Sequence, residues 1–151
     1  MFFPPKRFIL EKNRLGKGKF TMSDDDQRIR VIVVDDHQAV RKGLTALIRG
    51  FADLELVGQA SNGVEAVGLC DKVKPDVVLM DLVMPDMDGI EATEIILSRH
   101  PEVSVLALTS FRDEDLIDAM LEAGAVGYLL KDASLDELVG AIRMAKAGLS
   151  L

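Results

Sequence analysis

Two stretches of this chain of 151 residues run apolar and then stop at acids. "VIVVDDHQ", residues 31–38, ends in Asp35 and Asp36, and "DVVLMDLVMPDMDG", residues 76–89, drives a similar run into Asp81. Two further apolar runs end in other polar groups: "VSVLALTS" delivers Thr109 and Ser110, and "VGYLLKD" delivers Lys131. Three carboxylates crowded together raise one another's pKa and repel. A hard cation resolves the conflict, because Mg2+ takes oxygen ligands, keeps several waters and typically uses one or two carboxylates plus phosphate oxygens. An aspartate at the end of a greasy strand is therefore placed to meet a metal and whatever that metal holds.

That chemistry requires the groups to share one edge, and the intervening sequence supplies the reason they do. "RVIVVDD" is a short β-branched run without polar alternation, as in a parallel sheet covered on both faces. "LELVGQA", "DVVLMD", "VSVLALTS" and "VGYLL" follow as strands two to five. Between them, Val40, Leu44, Leu47, Ile48 and Phe51 form the stripe of a first amphipathic helix. "NGVEAVGLCDKV" and "GIEATEIILSRH" are helices two and three, each stopped by a proline (Pro75, Pro101). "DEDLIDAMLEAG" opens with acids at the positive helix end and closes at Gly124. Ser134 and Glu137 form an S-x-x-E capping box for a fifth helix with stripe Leu135, Leu138, Val139 and Ile142. Strict alternation predicts an α/β fold, a (βα)5 doubly wound five-stranded parallel sheet, with its functional groups at the carboxyl ends of the strands. Any one of these acids alone is better explained as a helix cap, and Lys131 alone as a solvated charge. Their arrival together at the switch point favours a site.

Composition bounds the rest. The length suits one domain, and 48% hydrophobic with 28% charged residues fits a globular protein. No apolar run approaches the roughly 18–20 residues of a bilayer span. A single cysteine, Cys70, excludes an intramolecular disulfide and fits a reducing cytoplasm. The net charge of −7 divides into about +5 over residues 1–22 and −12 over the remainder. The acidic body argues against nucleic-acid binding, which needs clustered Lys and Arg. The basic opening lacks the apolar core and cleavage site of a secretory signal. It is read as a translated upstream leader with Met22 as the natural start, the alternative being an arm that packs on a neighbour; residues 1–28 are expected to be poorly ordered.

"VIVVDDH", "VVLMDLVMPDMDGIEA", "LALTS" and "GAVGYLLKD" resemble, in order and spacing, the receiver domain of bacterial two-component response regulators. "DDHQAVRKGL" and "GYLLKD" resemble the NarL/FixJ (LuxR-type) subfamily. The likeness covers residues 29–147 and implies the flavodoxin-like, CheY-like receiver fold. By that resemblance Asp81 is the phosphoacceptor for a sensor histidine kinase. Asp36, Asp81 and the backbone carbonyl of Val83 match Mg2+ ligands, with Asp35 acting through water. Thr109 matches the hydroxyl that bonds the phosphoryl group, Lys131 the ammonium that pairs with it, and Tyr128 the aromatic switch that turns inward. Such a domain is no enzyme beyond its own aspartyl phosphorylation and dephosphorylation. It is cytoplasmic, dimerises on phosphorylation through the fourth-helix face or the first- and fifth-helix face, and touches no membrane. DNA would be reached only through a C-terminal helix-turn-helix domain, whose linker is expected to start at 148–151. The chain's end at "AKAGLSL" is read as a truncation, with a stand-alone receiver as the alternative.

Asp132, where many receivers carry proline after the lysine, argues against a cis bond there. Val83 and Phe111 are apolar and are expected to screen Asp81 from water, giving slow self-dephosphorylation. His37 is assigned to packing at a helix start, Met80, Met84 and Met87 to packing and loop lining, and Cys70 to a small hydrophobe on a helix face. A phosphorylation-independent interaction module is the rival reading, and the complete set Asp35, Asp36, Asp81, Thr109 and Lys131 argues against it. A phosphohydrolase wants an acid where Val83 stands, and a nucleotide site wants glycines or hydroxyls where "DDHQ" stands.

Overall fold

β-Branched side chains are stiff and fit a pleated surface, and runs of them form the centre of the molecule. A computed structural model describes residues 28–110 and 112–148. The extension expected up to residue 28 is described only from Arg28. Phe111 and the linker beyond Gly148 lie outside the described residues. The elements alternate: β1 (Ile29–Val34), α1 (Gln38–Arg49), β2 (Leu54–Ala60), α2 (Gly63–Val73), β3 (Val77–Asp81), α3 (Gly89–Arg99), β4 (Ser104–Thr109), α4 (Glu114–Glu122), β5 (Gly127–Leu130) and α5 (Leu135–Lys146). All pairings are parallel, in the order β2-β1-β3-β4-β5. The order reverses beside β1, so the carboxyl ends of β1 and β3 flank the crevice where such folds place their ligands.

Successive strand residues point to opposite faces, and two cores result. Ile32, Val34, Val78, Met80, Val105 and Ala107 join Ala66, Cys70, Ile96 and Met120 of α2, α3 and α4. Val31, Val33, Val77, Leu79, Leu106 and Leu108 join Ile48, Leu138 and Ile142 of α1 and α5. Two covered faces explain why the strands lack polar alternation, and every residue of β3 is buried.

Caps set the helix starts. Asn62, Asp88, Asp113 and Ser134 accept backbone N–H groups at the starts of α2, α3, α4 and α5, and Ser134 with Glu137 completes the expected capping box. Gly124, at φ 114, follows α4 as expected. α1 departs from its predicted stripe: it ends at Arg49, Phe51 packs on the core from beyond the helix, and Leu47 is 38% exposed while Thr45 is buried. The buried Thr45 hydroxyl donates to the Lys42 carbonyl within the same helix, so a polar residue occupies the core face without an unpaired group. Leu135 at the start of α5 is likewise exposed.

Candidate functional site

The acids at the ends of β1 and β3 are not helix caps. His37, just before α1, makes no side-chain cap bond, and α3 is capped by Asp88. Asp35 is instead 1% exposed, and Asp81 is 6% exposed. One Asp35 oxygen accepts the His37 N–H at 2.9 Å, and its other oxygen accepts Lys131 Nζ at 2.5 Å. The Asp35 carbonyl accepts Arg41 Nη1 at 2.7 Å, which fixes the loop from the side of α1. Arg41 is a supporting residue that sequence reasoning passed over, because its place in "VRKGL" reads as an ordinary exposed helix charge.

Lys131 is carried in by pairing of β5 with β4: its N–H donates to the Thr109 carbonyl at 2.8 Å, just past the register pair Thr109–Leu130. Its ammonium lies 3.3 Å from Asp81 Oδ2 as well as against Asp35. Burial depresses the Lys131 amine, but the hydrogen bond to Asp35 and the charges of Asp81 and Asp35 outweigh it and raise the pKa, so the group stays cationic. Asp81 is pushed up to about 6, first by burial and then by the Asp35 charge, against the downward pull of Lys131. One cation therefore faces two buried carboxylates, and the site is short of positive charge.

Asp36 adds to that deficit. Its side chain is 28% exposed, yet its Oδ1 atom is buried without a hydrogen-bond partner. Asp35, Asp36, His37 and Asp81 each present one donor atom within 4.8 Å of the others. The three carboxylates of that set suit a hard cation.

The loop after β3 is held by two glycines. Gly89 donates to the Leu82 carbonyl at 3.0 Å, and a Cβ there would meet the Asp81 carbonyl oxygen at 2.1 Å. Gly63 donates to the Met87 carbonyl at 3.0 Å, and a Cβ there would meet that oxygen at 2.5 Å. Sequence reading took both as helix starts; the requirement for close approach between separate loops became visible only with the fold. Asp86 in the same loop adopts φ 67, a left-handed conformation that aspartate tolerates.

The remaining expected residues fall as follows. Thr109 is 3% exposed at the last position of β4, beside this edge. Tyr128 lies on β5 but is 41% exposed, on the solvent side rather than turned in. Val83 directly follows Leu82, and its side chain is 59% exposed, a poor position for screening Asp81. His37 does not pack at the helix start as expected: 68% exposed, its ring folds back over Asp35 and Asp36. Met80 and Met84 are buried and Met87 packs against the same core. Burial pushes the Cys70 thiol up to about 12, so it is inert. No peptide bond among the described residues is cis, the Lys131–Asp132 bond included.

A buried carboxylate beside an ammonium and two further acids can serve as a nucleophile toward an anionic electrophile once a cation balances the excess negative charge. Known proteins carry the same arrangement of sequence and fold. The response regulator receiver domain model matches residues 31–143. The chain is 48% identical over 120 residues to the transcriptional regulatory protein LiaR of Bacillus subtilis, covering 80% of this chain and 57% of LiaR. It is 46% identical over 120 residues to the response regulator GacA of Pseudomonas viridiflava, covering 80% of this chain and 56% of GacA. The chain thus spans little more than half the length of these relatives. A LuxR-family two-component response regulator from Aurantimonas sp. superimposes with a TM-score of 0.77 at 36% identity, over 82% of this chain and 88% of that one. A signal receiver domain designated NarL from Mycobacterium tuberculosis superimposes with a TM-score of 0.78 at 32% identity, over 81% of this chain and 98% of that one. Family match, relatives and fold agree: the chain belongs to the response regulator receiver domain family, among regulators of the NarL/FixJ type.

Proposed function

We propose that the domain accepts a phosphoryl group on Asp81 from the phosphohistidine of a sensor kinase. The observation that carries this reading is the buried Asp81 carboxylate, 3.3 Å from Lys131 and grouped with Asp35 and Asp36. An Asp81 oxygen forms the new P–O bond while the P–N bond to the kinase imidazole breaks, and the histidine leaves with the electron pair. Lys131 balances charge on the transferring oxygens, and its bond to Asp35 holds the ammonium in place. Asp36, Asp81 and the Val83 carbonyl would hold a Mg2+ ion, with Asp35 acting through water. When bound, that ion supplies charge neutralisation at the phosphoryl oxygens.

The product replaces the single charge of the carboxylate with a phosphoryl dianion, a net gain of about one negative charge at the end of β3 together with three strong acceptor oxygens. Thr109, one strand away, is placed to move toward them, and the outward Tyr128 on the neighbouring strand is free to follow into the vacated space. The domain would then self-associate, and in a longer protein of the relatives' type it would control transcription through a DNA-binding domain. It acts in the cytoplasm and turns over only its own acyl phosphate. Among the described residues, no helix is long and apolar enough to cross a membrane.

The test is intact mass after incubation with Mg2+ and acetyl phosphate. One phosphoryl group, labile to hydroxylamine and absent in Asp81→Asn, is expected. Failure of the wild type to gain mass with any small donor or with kinase would favour a phosphorylation-independent interaction module.

A further inference from the structure

The pairing of β1 with β2 runs out just where the acids begin. Its last register pair is Val34–Ala60, and the Asp35 N–H still donates to the Ala60 carbonyl at 3.1 Å. The next carbonyl, that of Asp35 itself, is held by a side chain: Arg41 Nη1 donates to it at 2.7 Å. That oxygen belongs to the peptide joining Asp35 to Asp36. A peptide unit is planar, so the bond to Arg41 fixes the plane from which Asp36 departs. The buried Asp36 Oδ1 has no hydrogen bond of its own, which leaves its backbone to aim it.

Arg41 gives no support to the helix it stands on. It occupies the first turn of α1, where a cation opposes the helix dipole, whereas the first turns of α2, α3, α4 and α5 carry acids. A guanidinium can donate in several directions, and a second partner is near. The Glu65 carboxyl, in the first turn of α2, is held low first by the Ser61 N–H and hydroxyl, at 2.8 and 2.9 Å, and then by the Arg41 charge. Two residues before Glu65, the Gly63 N–H donates to the Met87 carbonyl at 3.0 Å. Arg41 thus stands between the loop with Asp35 and Asp36 and the start of α2, which in turn touches the loop after Asp81.

We propose that Arg41 is a positioning residue for the divalent ion: by holding the Asp35 carbonyl it aims the Asp36 carboxylate at the crevice shared with Asp81. Its attraction to Glu65 keeps that aim in step with the loop that carries Val83. The role depends on the acid edge holding Mg2+, as in the function proposed above.

Mg2+ titration of the whole chain by calorimetry tests it, in wild type, Arg41→Met, Arg41→Lys and Arg49→Met, with the metal-free Tm of each. Arg49, exposed at the other end of α1, is the control for lost charge. Charge alone predicts the opposite sign, because removing a cation near the acids strengthens Mg2+ binding. Arg41→Met is expected instead to weaken Mg2+ about tenfold, the scale for an outer partner of a metal ligand, while Arg49→Met does not weaken it. Lysine keeps the charge without the fork, so Arg41→Lys should fall between wild type and Arg41→Met. Phosphorylation of Arg41→Met by acetyl phosphate should need correspondingly more Mg2+ to reach half its maximal rate, with a near wild-type rate at saturation. A merely structural role would lower the metal-free Tm without that split. Mg2+ affinity in Arg41→Met equal to or tighter than wild type overturns the proposal; should that variant not fold, Arg41→Lys decides in the same way. If that happens while wild type binds Mg2+ and is phosphorylated on Asp81, the function stands and only this role falls. If wild type binds no Mg2+ and gains no phosphoryl group, both fall.

Discussion

Replacing Asp81 with asparagine should stabilise the metal-free protein. Asp81 is buried against Asp35, and its carboxyl is raised from 3.8 to about 6. A group whose folded pKa exceeds its unfolded value opposes folding once it must ionise. The penalty is absent below about pH 4, grows as pH rises toward 6, and is complete above that. A displacement of about two units at 1.36 kcal/mol each gives about 3 kcal/mol. The side chain is only 9% exposed, so solvent screening trims this modestly. Asparagine keeps an oxygen for the Leu82 N–H and for Lys131 while removing the charge. For a domain of this size, 3 kcal/mol corresponds to roughly 5–10 °C in Tm. Thermal unfolding in chelator at pH 8 should show Asp81→Asn melting higher by about that much, with the gap closing near pH 4. Saturating Mg2+ should raise the wild type toward the variant, because a ligand bound only by the folded state adds to its stability. Equal or lower stability of the variant at pH 8, or a gap that persists in acid, would refute the electrostatic reasoning.

Further outcomes follow from the same geometry. Lys131→Ala strips two buried carboxylates of their cation and should destabilise the metal-free protein by about 3–5 kcal/mol, by urea unfolding; Lys131→Ala combined with Asp81→Asn should recover part of that loss. Gly89→Ala places a Cβ 2.1 Å from the Asp81 carbonyl oxygen, so it should lower both Tm and the rate of phosphorylation by acetyl phosphate. Arg143 forks onto Asp53 at 2.8 and 3.0 Å, but both side chains are about half exposed, so a double-mutant cycle should give no more than about 1 kcal/mol. The Asp53 carboxyl is held low mainly by its hydrogen bond to Arg143, so that small contribution should fade as pH falls through the acidic carboxylate range. With Val83 turned to solvent, Val83→Ala should change the lifetime of phosphorylated Asp81 little, as followed by phosphoprotein electrophoresis.

Sequence periodicity was sufficient for the strands and most helices because this fold buries both sheet faces. Continuous runs such as 31–34 and 77–80 have no other stable placement, and the acids that end them must emerge at the same edge. The motif spacing likewise pointed to Asp35, Asp36, Asp81 and Lys131 as one group, and they are gathered there. Local pattern failed where a residue's state depends on a distant neighbour. Nothing in the stripe of α1 says that Leu47 faces solvent while Thr45 is covered, since the packing of that helix on β1 and β2 sets its rotation. Nothing in "DDHQ" separates a packed histidine from one folded across two carboxylates. That Lys131 binds Asp35 also escaped the sequence: Asp88 and Asp113 find their partners in helix N–H groups a few residues on, whereas Asp35 is bound to an ammonium 96 residues further along. Hydrophobic order is written in neighbouring residues. Charge balance is a sum over everything that the folded chain brings within a few ångströms, and it exists only after folding.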